Sequence, residues 1–147
     1  MAHKYDTAEF QKFLDQQQYT RNGILRYEKI FGEDFVSTGG VSTTREFVAM
    51  LNLNEGDYVL DVGCGIGGSA FLMRFFSKHF VRRLTCGCFT YRRDYGAKVL
   101  GFDLSKNMVD IAEERLAKHG MDDVKFEIKD ATTQDYPEGT FDVIYSR

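Results

Sequence analysis

A glycine-rich turn after a short apolar segment is the part of the sequence best suited to bind a nucleoside. Residues 58–62 (YVLDV) have the composition of a buried strand, and residues 63–68 (GCGIGG) follow directly as a turn. Because glycine has no Cβ, such a backbone can lie directly against a nucleotide at the carboxyl end of a strand. The same turn is also compatible with nothing more than a tight connection between a strand and a helix.

Acidic residues follow the next two predicted strands. Asp103 ends the strand at 98–102, where a carboxylate can bind the hydroxyl groups of a ribose. Asp130 and Ala131 end the strand at 124–128, where an acidic residue beside an apolar one can frame an adenine. Since parallel strands end at the same edge of a sheet, these residues favour a nucleoside site over a purely structural turn.

The acidic residue inside the first strand, Asp61, distinguishes between two classes of cofactor. With the turn it forms the pattern D-x-G-x-G-x-G at residues 61–67, which resembles motif I of class I S-adenosylmethionine-dependent methyltransferases. Enzymes that use nicotinamide cofactors have G-x-G-x-x-G, and their following helix binds a pyrophosphate. S-adenosylmethionine has no phosphate but carries an ammonium group, which an acidic residue suits. We therefore expect S-adenosylmethionine rather than NAD, bound by a turn that includes Gly63, Gly65 and Gly67.

Alternating helices and strands surround the turn. Helical spacing of apolar residues predicts four helices, at residues 6–18, 24–31, 42–51 and 105–119. Short apolar segments predict four strands, at residues 58–62, 98–102, 124–128 and 141–145. This alternation in the second half of the chain indicates an α/β fold, in which a parallel sheet carries helices on its faces.

Residue types at the ends of the predicted helices indicate where each one begins or ends. Asn22 and Gly23 are predicted to separate the first two helices, and Gly32 to end the second. On the third helix, Phe47 and Val48 are predicted to face the core. On the fourth helix, Glu113 and Glu114, with Arg115 and Lys118, are predicted to form a solvated face supported by pairs four residues apart.

Length and composition indicate one soluble domain and exclude several classes of protein. The chain has 147 residues, a net charge of −3 and 43% hydrophobic residues. This overall charge gives no basic field for nucleic acid. The sequence has no apolar segment long enough for a membrane helix and no apolar signal peptide. Three cysteines do not make a disulfide framework, so a cytoplasmic location is expected.

The segments before and after the turn resemble a particular methyltransferase family. Residues 18–40 (QYTRNGILRYEKIFGEDFVSTGG) and 135–147 (DYPEGTFDVIYSR) are similar to the corresponding parts of phosphoethanolamine N-methyltransferases. The resemblance implies an enzyme that methylates phosphoethanolamine stepwise to phosphocholine, with S-adenosylmethionine as cofactor. It also implies a Rossmann-like class I methyltransferase fold, of which this chain carries the first four parallel strands and an N-terminal helical lid.

The resemblance also implies roles for individual residues. Tyr19 matches the catalytic tyrosine, and with Gln18 and Tyr27 it matches the substrate-binding part of the lid. Without the resemblance, Tyr19 and Tyr27 would equally fit ordinary packing of an amphipathic helix. The cofactor-binding residues implied by the family pattern and the glycine turn are Gln18, Tyr27, Val36, Ser37, Asp61, Gly63, Gly65, Gly67, Asp103, Leu104, Asp130, Ala131 and Arg147.

Two features depart from the family pattern. The chain ends at Arg147, directly after the fourth strand, so we expect a truncated product with weak catalysis at most. The family's histidine partner of Tyr19 and its phosphate-binding residues would lie beyond this point. The expected organisation is a lid at 1–52 and a cofactor-binding half-domain at 53–147, interrupted by an atypical insert at 74–94.

The insert at 74–94 lengthens the connection between the glycine turn and the ribose acid. Asp103 lies 40 residues beyond Gly63, whereas about 20 residues is usual. The insert carries six Lys or Arg residues against one Asp, and it includes a Cys-x-Cys at Cys86 and Cys88. It could be a basic loop that binds an anionic partner, a metal site short of four ligands, or accidental sequence. We favour accidental sequence.

Other functions and partners remain open at this point. Another small-molecule methyltransferase, acting on an amine or a quinone ring, and an inactive cofactor-binding fragment are the alternatives. We expect a small-molecule substrate (phosphoethanolamine and its mono- and dimethyl forms), no nucleic acid, no membrane insertion, no metal and a monomeric state. Cys64 is interpreted as a small apolar filler of the turn rather than a nucleophile.

Overall fold

A four-stranded parallel sheet forms the centre of the fold in the computed structural model, which describes residues 7–74 and 96–147. The strands are β1 Tyr58–Val62, β2 Lys98–Asp103, β3 Val124–Ile128 and β4 Val143–Ser146. Their order is β3-β2-β1-β4, and every adjacent pair is parallel. The predicted α/β fold with four parallel strands is confirmed.

Helices precede, connect and cover these strands. The α-helices are α1 Thr7–Phe13, α2 Arg21–Phe31, α3 Gly40–Met50, α4 Gly68–Arg74 and α5 Lys106–His119. A π-helical turn, Leu14–Gln18, follows α1, and a short 3-10 turn, Ala131–Thr133, lies between β3 and β4. The single first helix predicted for residues 6–18 therefore changes to π-helical geometry at Leu14.

The main core lies between one face of the sheet and α3, α4 and α5. Val59 and Val99 supply this face from β1 and β2, and Val48, Met73 and Ala112 pack onto it from the three helices. On the opposite face of the sheet, Leu60, Leu100 and Phe102 form a smaller buried cluster. Successive side chains of a strand point to opposite faces, so the buried apolar strands serve both clusters.

The N-terminal helices differ from the sequence prediction in two details. Asn22 and Gly23 do not separate helices, because the Thr20 hydroxyl accepts a hydrogen bond from the N–H of Gly23 at 3.2 Å and α2 begins at Arg21. On α3, Val48 is fully buried as predicted, whereas Phe47 is 42% exposed. The predicted end of α2 at Gly32 is confirmed.

The helix before β3 begins and ends where the sequence predicts. The hydroxyl of Ser105 accepts from the N–H of Met108 at 3.3 Å, and Gly120 adopts the left-handed conformation that ends α5. The strand predicted at 141–145 instead begins at Val143. The reason is that the Asp142 carboxylate accepts from the N–H of Tyr58 at 2.8 Å and fixes the chain just before the strand.

Most of the predicted insert at 74–94 lies outside the described residues, which end at Arg74 and resume at Gly96. Its Cys86 and Cys88 are therefore outside the description as well. Within residues 7–74 and 96–147, no helix is long and apolar enough to cross a membrane. The same residues contain no cluster of side chains able to hold a metal ion.

Candidate cofactor site

The glycine turn lies at the carboxyl edge of the sheet, between β1 and β2. The N–H groups of Gly63 and Cys64 both donate to the carbonyl of Phe102, at 2.9 and 3.0 Å. Gly63, Gly65 and Gly67 all have positive φ, a conformation that other residues rarely adopt. A Cβ on Gly67 would lie 2.7 Å from the Phe126 ring. Conformation and close packing therefore both require glycine at Gly67.

The buried carboxyl group of Asp61 lies beneath this turn. Asp61 is 1% exposed, and its Oδ2 has no hydrogen-bond partner among the residues the structure describes. Burial raises the pKa of this carboxyl to about 7, and the negative charge of Asp103 adds to the rise. A cation bound here would stabilise the carboxylate, so the site fits the ammonium group of S-adenosylmethionine.

Asp103, at the end of β2, binds the glycine turn with one carboxylate oxygen and the start of α5 with the other. Its Oδ2 accepts from the N–H of Gly65 at 3.0 Å, and its Oδ1 accepts from the N–H of Ser105 at 2.9 Å. Burial raises the pKa of Asp103, and these hydrogen bonds partly offset that rise. Each oxygen keeps further acceptor capacity, so the residue can hold the turn and also accept from ribose hydroxyls.

An open cleft lies beside the turn and Asp61, with an empty volume of about 410 Å³ that includes open solvent. It is bordered by the ends of β1 and β4, by the glycine turn and by the loop before α3. Six of the residues predicted for the cofactor site line it, namely Val36, Ser37, Asp61, Gly63, Gly65 and Arg147. The structure thus brings together residues from segments that are far apart in the sequence.

Arg147 connects the end of β4 to α3 and the loop before it. Its guanidinium donates to the hydroxyl of Thr44 and to the carbonyl of Thr38, and lies 5.4 Å from the centre of the Phe47 ring. Thr44 is fully buried and donates in turn to the carbonyl of Gly40 at 2.8 Å. Arg147 therefore borders the cleft and also fixes the start of α3 against the sheet.

Tyr19 lies at the end of the π-helical turn, beside the glycine turn. Its N–H donates to the carbonyl of Leu14 at 2.6 Å, and its hydroxyl lies 3.5 Å from the amide of Gln18. The side chain packs against a buried cluster that includes Ile66 of the glycine turn. Neither Gln18 nor Tyr19 lines the cleft itself.

The remaining predicted residues do not line the cleft. Tyr27 is 47% exposed on α2 and stacks on Phe31, with ring centres 6.3 Å apart. Asp130 begins the 3-10 turn, and its Oδ1 accepts from the N–H and the hydroxyl of Thr132 at 2.8 and 2.7 Å. The structure does not bring five further predicted residues into the lining of the cleft: Gly67, Asp103, Leu104, Asp130 and Ala131.

Charged residues of α5 bind α2 and the loop that follows it, in contacts that the sequence does not predict. Arg115 donates to both carboxylate oxygens of Glu28, at 3.0 and 2.8 Å, and lies 3.5 Å from Asp34. His119 lies 2.7 Å from the same Asp34, which borders the cleft. The predicted solvated face of α5 is therefore correct for Glu113, Glu114 and Lys118, which are exposed, and wrong for Arg115, which is half-buried. No local pattern could have shown these pairs, because the partners are more than 80 residues apart.

Cys64 is a buried residue of the turn. Burial raises the pKa of its thiol well above the ordinary value. A neutral, buried thiol is a poor nucleophile, which agrees with its interpretation as an apolar filler.

Comparison with known proteins places this site in a family. The methyltransferase domain family matches residues 53–147. Phosphoethanolamine N-methyltransferase 1 of Triticum aestivum is 51% identical over 138 residues, covering 94% of this chain and 24% of that protein. The Plasmodium falciparum phosphoethanolamine N-methyltransferase is 38% identical, covering 92% of this chain and 43% of that protein.

A solved structure gives the same result. Phosphoethanolamine N-methyltransferase 2 of Haemonchus contortus, in complex with phosphomonomethylethanolamine and S-adenosylhomocysteine, matches with a TM-score of 0.78 and 33% identity. The match covers 94% of this chain and 28% of that one. These comparisons confirm the resemblance predicted from residues 18–40 and 135–147. The chain spans about a quarter of the length of the first curated relatives it matches.

Proposed function

This chain belongs to the methyltransferase domain family, and from that premise we propose that its protein methylates phosphoethanolamine stepwise to phosphocholine. The methyl donor in this proposal is S-adenosylmethionine. The substrate is supported by the similarity to phosphoethanolamine N-methyltransferases, one of them solved with phosphomonomethylethanolamine. A small-molecule substrate, a monomeric state and a cytoplasmic location are parts of the same proposal.

One observation carries the cofactor proposal, namely the buried carboxyl of Asp61, which lines the cleft together with the glycine turn. Among the described residues no donor satisfies its Oδ2. A buried carboxyl of this kind costs free energy unless a donor or a cation satisfies it. The ammonium group of the cofactor's methionine end supplies both, whereas the pyrophosphate of a dinucleotide would add negative charge beside Asp61 and Asp103.

The residues of the site divide the cofactor among them in this proposal. Asp61 and Gly63 bind the methionine end, and Asp103 accepts from the ribose hydroxyls. The adenine end is assigned to Leu104, Asp130 and Ala131. Gly65 and Gly67 allow close approach of the backbone, and the remaining cofactor residues proposed from the lid and from the end of β4 are Gln18, Tyr27, Val36, Ser37 and Arg147.

The lid performs the second part of the proposed reaction. When bound, S-adenosylmethionine supplies a methyl group on a positively charged sulfur, which a neutral amine can attack. Tyr19 is proposed as the catalytic residue, which orients the amine and takes part in removing its proton. Gln18 and Tyr27 are proposed to contact the substrate beside it. Holding the amine within about 3–3.5 Å of the methyl carbon accounts for much of the rate in such a displacement.

The organisation of the chain follows from these roles. Residues 1–52 are proposed as the lid and residues 53–147 as the cofactor-binding part. The second candidate function is a cofactor-binding unit without catalysis. The position of Tyr19 favours this second candidate, because Tyr19 packs beside the glycine turn and does not line the cleft.

Calorimetric titration of the chain with S-adenosylmethionine, paired with a radiolabelled methyl-transfer assay on phosphoethanolamine, tests the proposal. We expect binding with one cofactor per chain and labelled phosphomonomethylethanolamine as the first product. Transfer to sarcosine or a quinone but not to phosphoethanolamine would favour another small-molecule methyltransferase. Binding without transfer to any acceptor would favour the second candidate, and absence of binding would contradict the cofactor proposal.

A further inference from the structure

The start of α5 forms hydrogen bonds to the part of the lid that ends at Tyr19. The carboxylate of Asp15 accepts from the hydroxyl of Ser105 at 2.7 Å and from the backbone N–H groups of Lys106 and Asn107 at 3.3 and 3.2 Å. These N–H groups belong to the first turn of a helix, which has no partners for them within the helix itself. A residue of the lid therefore satisfies the N-terminus of a core helix.

The side chain of Asn107 makes the second connection. Its amide nitrogen donates to the carbonyl of Asp15 at 2.8 Å and to the carbonyl of Tyr19 at 2.9 Å. Both donated hydrogens of one primary amide are thus used on the lid. Because the N–H of Tyr19 is already bonded to Leu14, the backbone of Tyr19 is held on both sides.

This connection continues to the cofactor site through α5. Ser105, which donates to Asp15, also donates its N–H to Asp103, and Asp103 accepts from the N–H of Gly65. Ser105, in the middle of this path, is fully buried, and Asp15 and Asp103 at its two ends are partly buried. The lid and the glycine turn are therefore fixed to the same few residues at the start of α5.

We propose that Asn107 is a positioning residue, which sets the place of Tyr19 relative to the glycine turn through its bond to the Tyr19 carbonyl. The proposal rests on the function proposed above, in which Tyr19 acts on the amine. Asn107 itself touches neither substrate nor cofactor in this proposal. Asp15 supports the same arrangement by fixing the preceding residues of the lid.

Two variants remove the amide without disturbing α5. Asn107→Asp keeps the shape of the side chain but cannot donate to the two carbonyls, and an acidic residue in the first turn of a helix is favourable. Asn107→Ala removes the group without adding charge. Lys106→Ala is the matched control, because Lys106 lies in the same turn and its side chain pairs with Asp110 rather than with the lid.

Hydrogen exchange and kinetics measure the effect on the same proteins. We expect amide exchange in residues 14–20 to quicken about tenfold in both Asn107 variants, with the sheet and Lys106→Ala unchanged. For methyl transfer we expect kcat to fall about tenfold and the KM for S-adenosylmethionine to change less than about twofold. In a Tyr19→Phe background, Asn107→Ala should lower kcat less than about twofold further, because both changes act on one group.

The outcomes separate this inference from the proposed function. An active wild type whose Asn107 variants keep wild-type kcat and exchange would overturn the positioning role alone. Equal losses of kcat from Asn107→Ala in the wild type and in the Tyr19→Phe background would also overturn it, since a general structural effect is additive. A wild type that neither binds S-adenosylmethionine nor transfers methyl would overturn the proposed function. In that case the amide hydrogen exchange of residues 14–20, compared between the wild type and the Asn107 variants, still shows whether Asn107 orders Tyr19.

Discussion

Asp61 and Tyr145 are register partners on β1 and β4, and both carry a buried side-chain oxygen without a hydrogen-bond partner among the described residues. Partners in a parallel register point to the same face of the sheet, so the two side chains are neighbours. Both residues line the cleft. Two unsatisfied polar groups side by side are unusual in a protein core, and they indicate where a polar ligand gains most from binding.

The unsatisfied hydroxyl of Tyr145 leads to a prediction about stability. Tyr145→Phe removes a polar group that has no partner in the described part of the chain, so the free energy of unfolding should stay the same or rise by up to about 1 kcal/mol. Urea unfolding followed by circular dichroism measures this. Tyr136→Phe is a suitable contrast, because the Tyr136 hydroxyl accepts from Lys129 at 3.3 Å. A clear loss of stability in Tyr145→Phe would contradict the prediction.

The raised pKa of Asp61 predicts how stability depends on pH. This pKa is about 7 in the folded protein, whereas an unfolded chain has about 3.9. Because the folded protein favours the neutral acid, the free energy of unfolding should decrease as the pH rises from about 4 through about 7. Asp61→Asn should remove this decrease and be more stable than the wild type at pH 8. Urea titrations at pH 5 and pH 8 test this.

An exposed residue supplies the control for that measurement. Asp122→Asn should show the same pH dependence as the wild type, because Asp122 is exposed. A wild-type stability that is flat between pH 5 and pH 8 would show that Asp61 is ionised without penalty, contrary to the prediction.

Asp61 should also determine cofactor affinity. Hydrogen bonds between charged groups contribute about 1.5–3 kcal/mol, so Asp61→Asn should weaken S-adenosylmethionine binding by about 10–100-fold. Since the bound ammonium favours the carboxylate, affinity in the wild type should increase as the pH rises through about 7. Calorimetry at several pH values measures both effects. Equal affinity in the wild type and the Asp61→Asn variant would place the ammonium elsewhere.

Gly67 should be irreplaceable for steric reasons. Gly67→Ala places a Cβ at 2.7 Å from Phe126 and at 2.8 Å from Phe71, in a left-handed backbone conformation. Overpacking of this kind costs about 1–3 kcal/mol, in addition to the backbone strain. Gly139→Ala is the matched control, because Gly139 also has positive φ but open space around it. Equal losses of unfolding free energy in the two variants would show that conformation alone requires glycine at Gly67.

The pair formed by Arg115 and Glu28 should stabilise the lid more than the exposed pairs beside it. Arg115 donates twice to Glu28, and the two side chains are only 24% and 11% exposed. Arg115→Gln should therefore cost about 1.5–3 kcal/mol. Lys118→Gln, which breaks an exposed pair with Glu33, should cost clearly less, because water screens exposed ion pairs. Thermal unfolding of the two variants compares these effects directly, and similar losses would contradict the difference.

Local sequence patterns determined the strands, the glycine turn and the ends of α5. The alternation of apolar segments and helical spacing predicts the four parallel strands, because burial on both faces of a sheet requires continuous apolar residues. Ser105 and Gly120 predict the ends of α5 because capping depends on residue type at one position. The acidic residues at Asp61 and Asp103 were identified for the same reason, since strand ends and glycine turns are local features.

The tertiary structure alone decided which of these residues meet. The bond between Asn107 and the Tyr19 carbonyl, the pair of Arg115 with Glu28 and the contact of Arg147 with Thr44 join residues more than 80 positions apart. Periodicity and capping describe only neighbours along the chain, so they place Arg115 on a helix but cannot name its partner. The placement of the N-terminal helices beside the glycine turn depends on such long-range contacts, and therefore on the packing of α5 against the sheet.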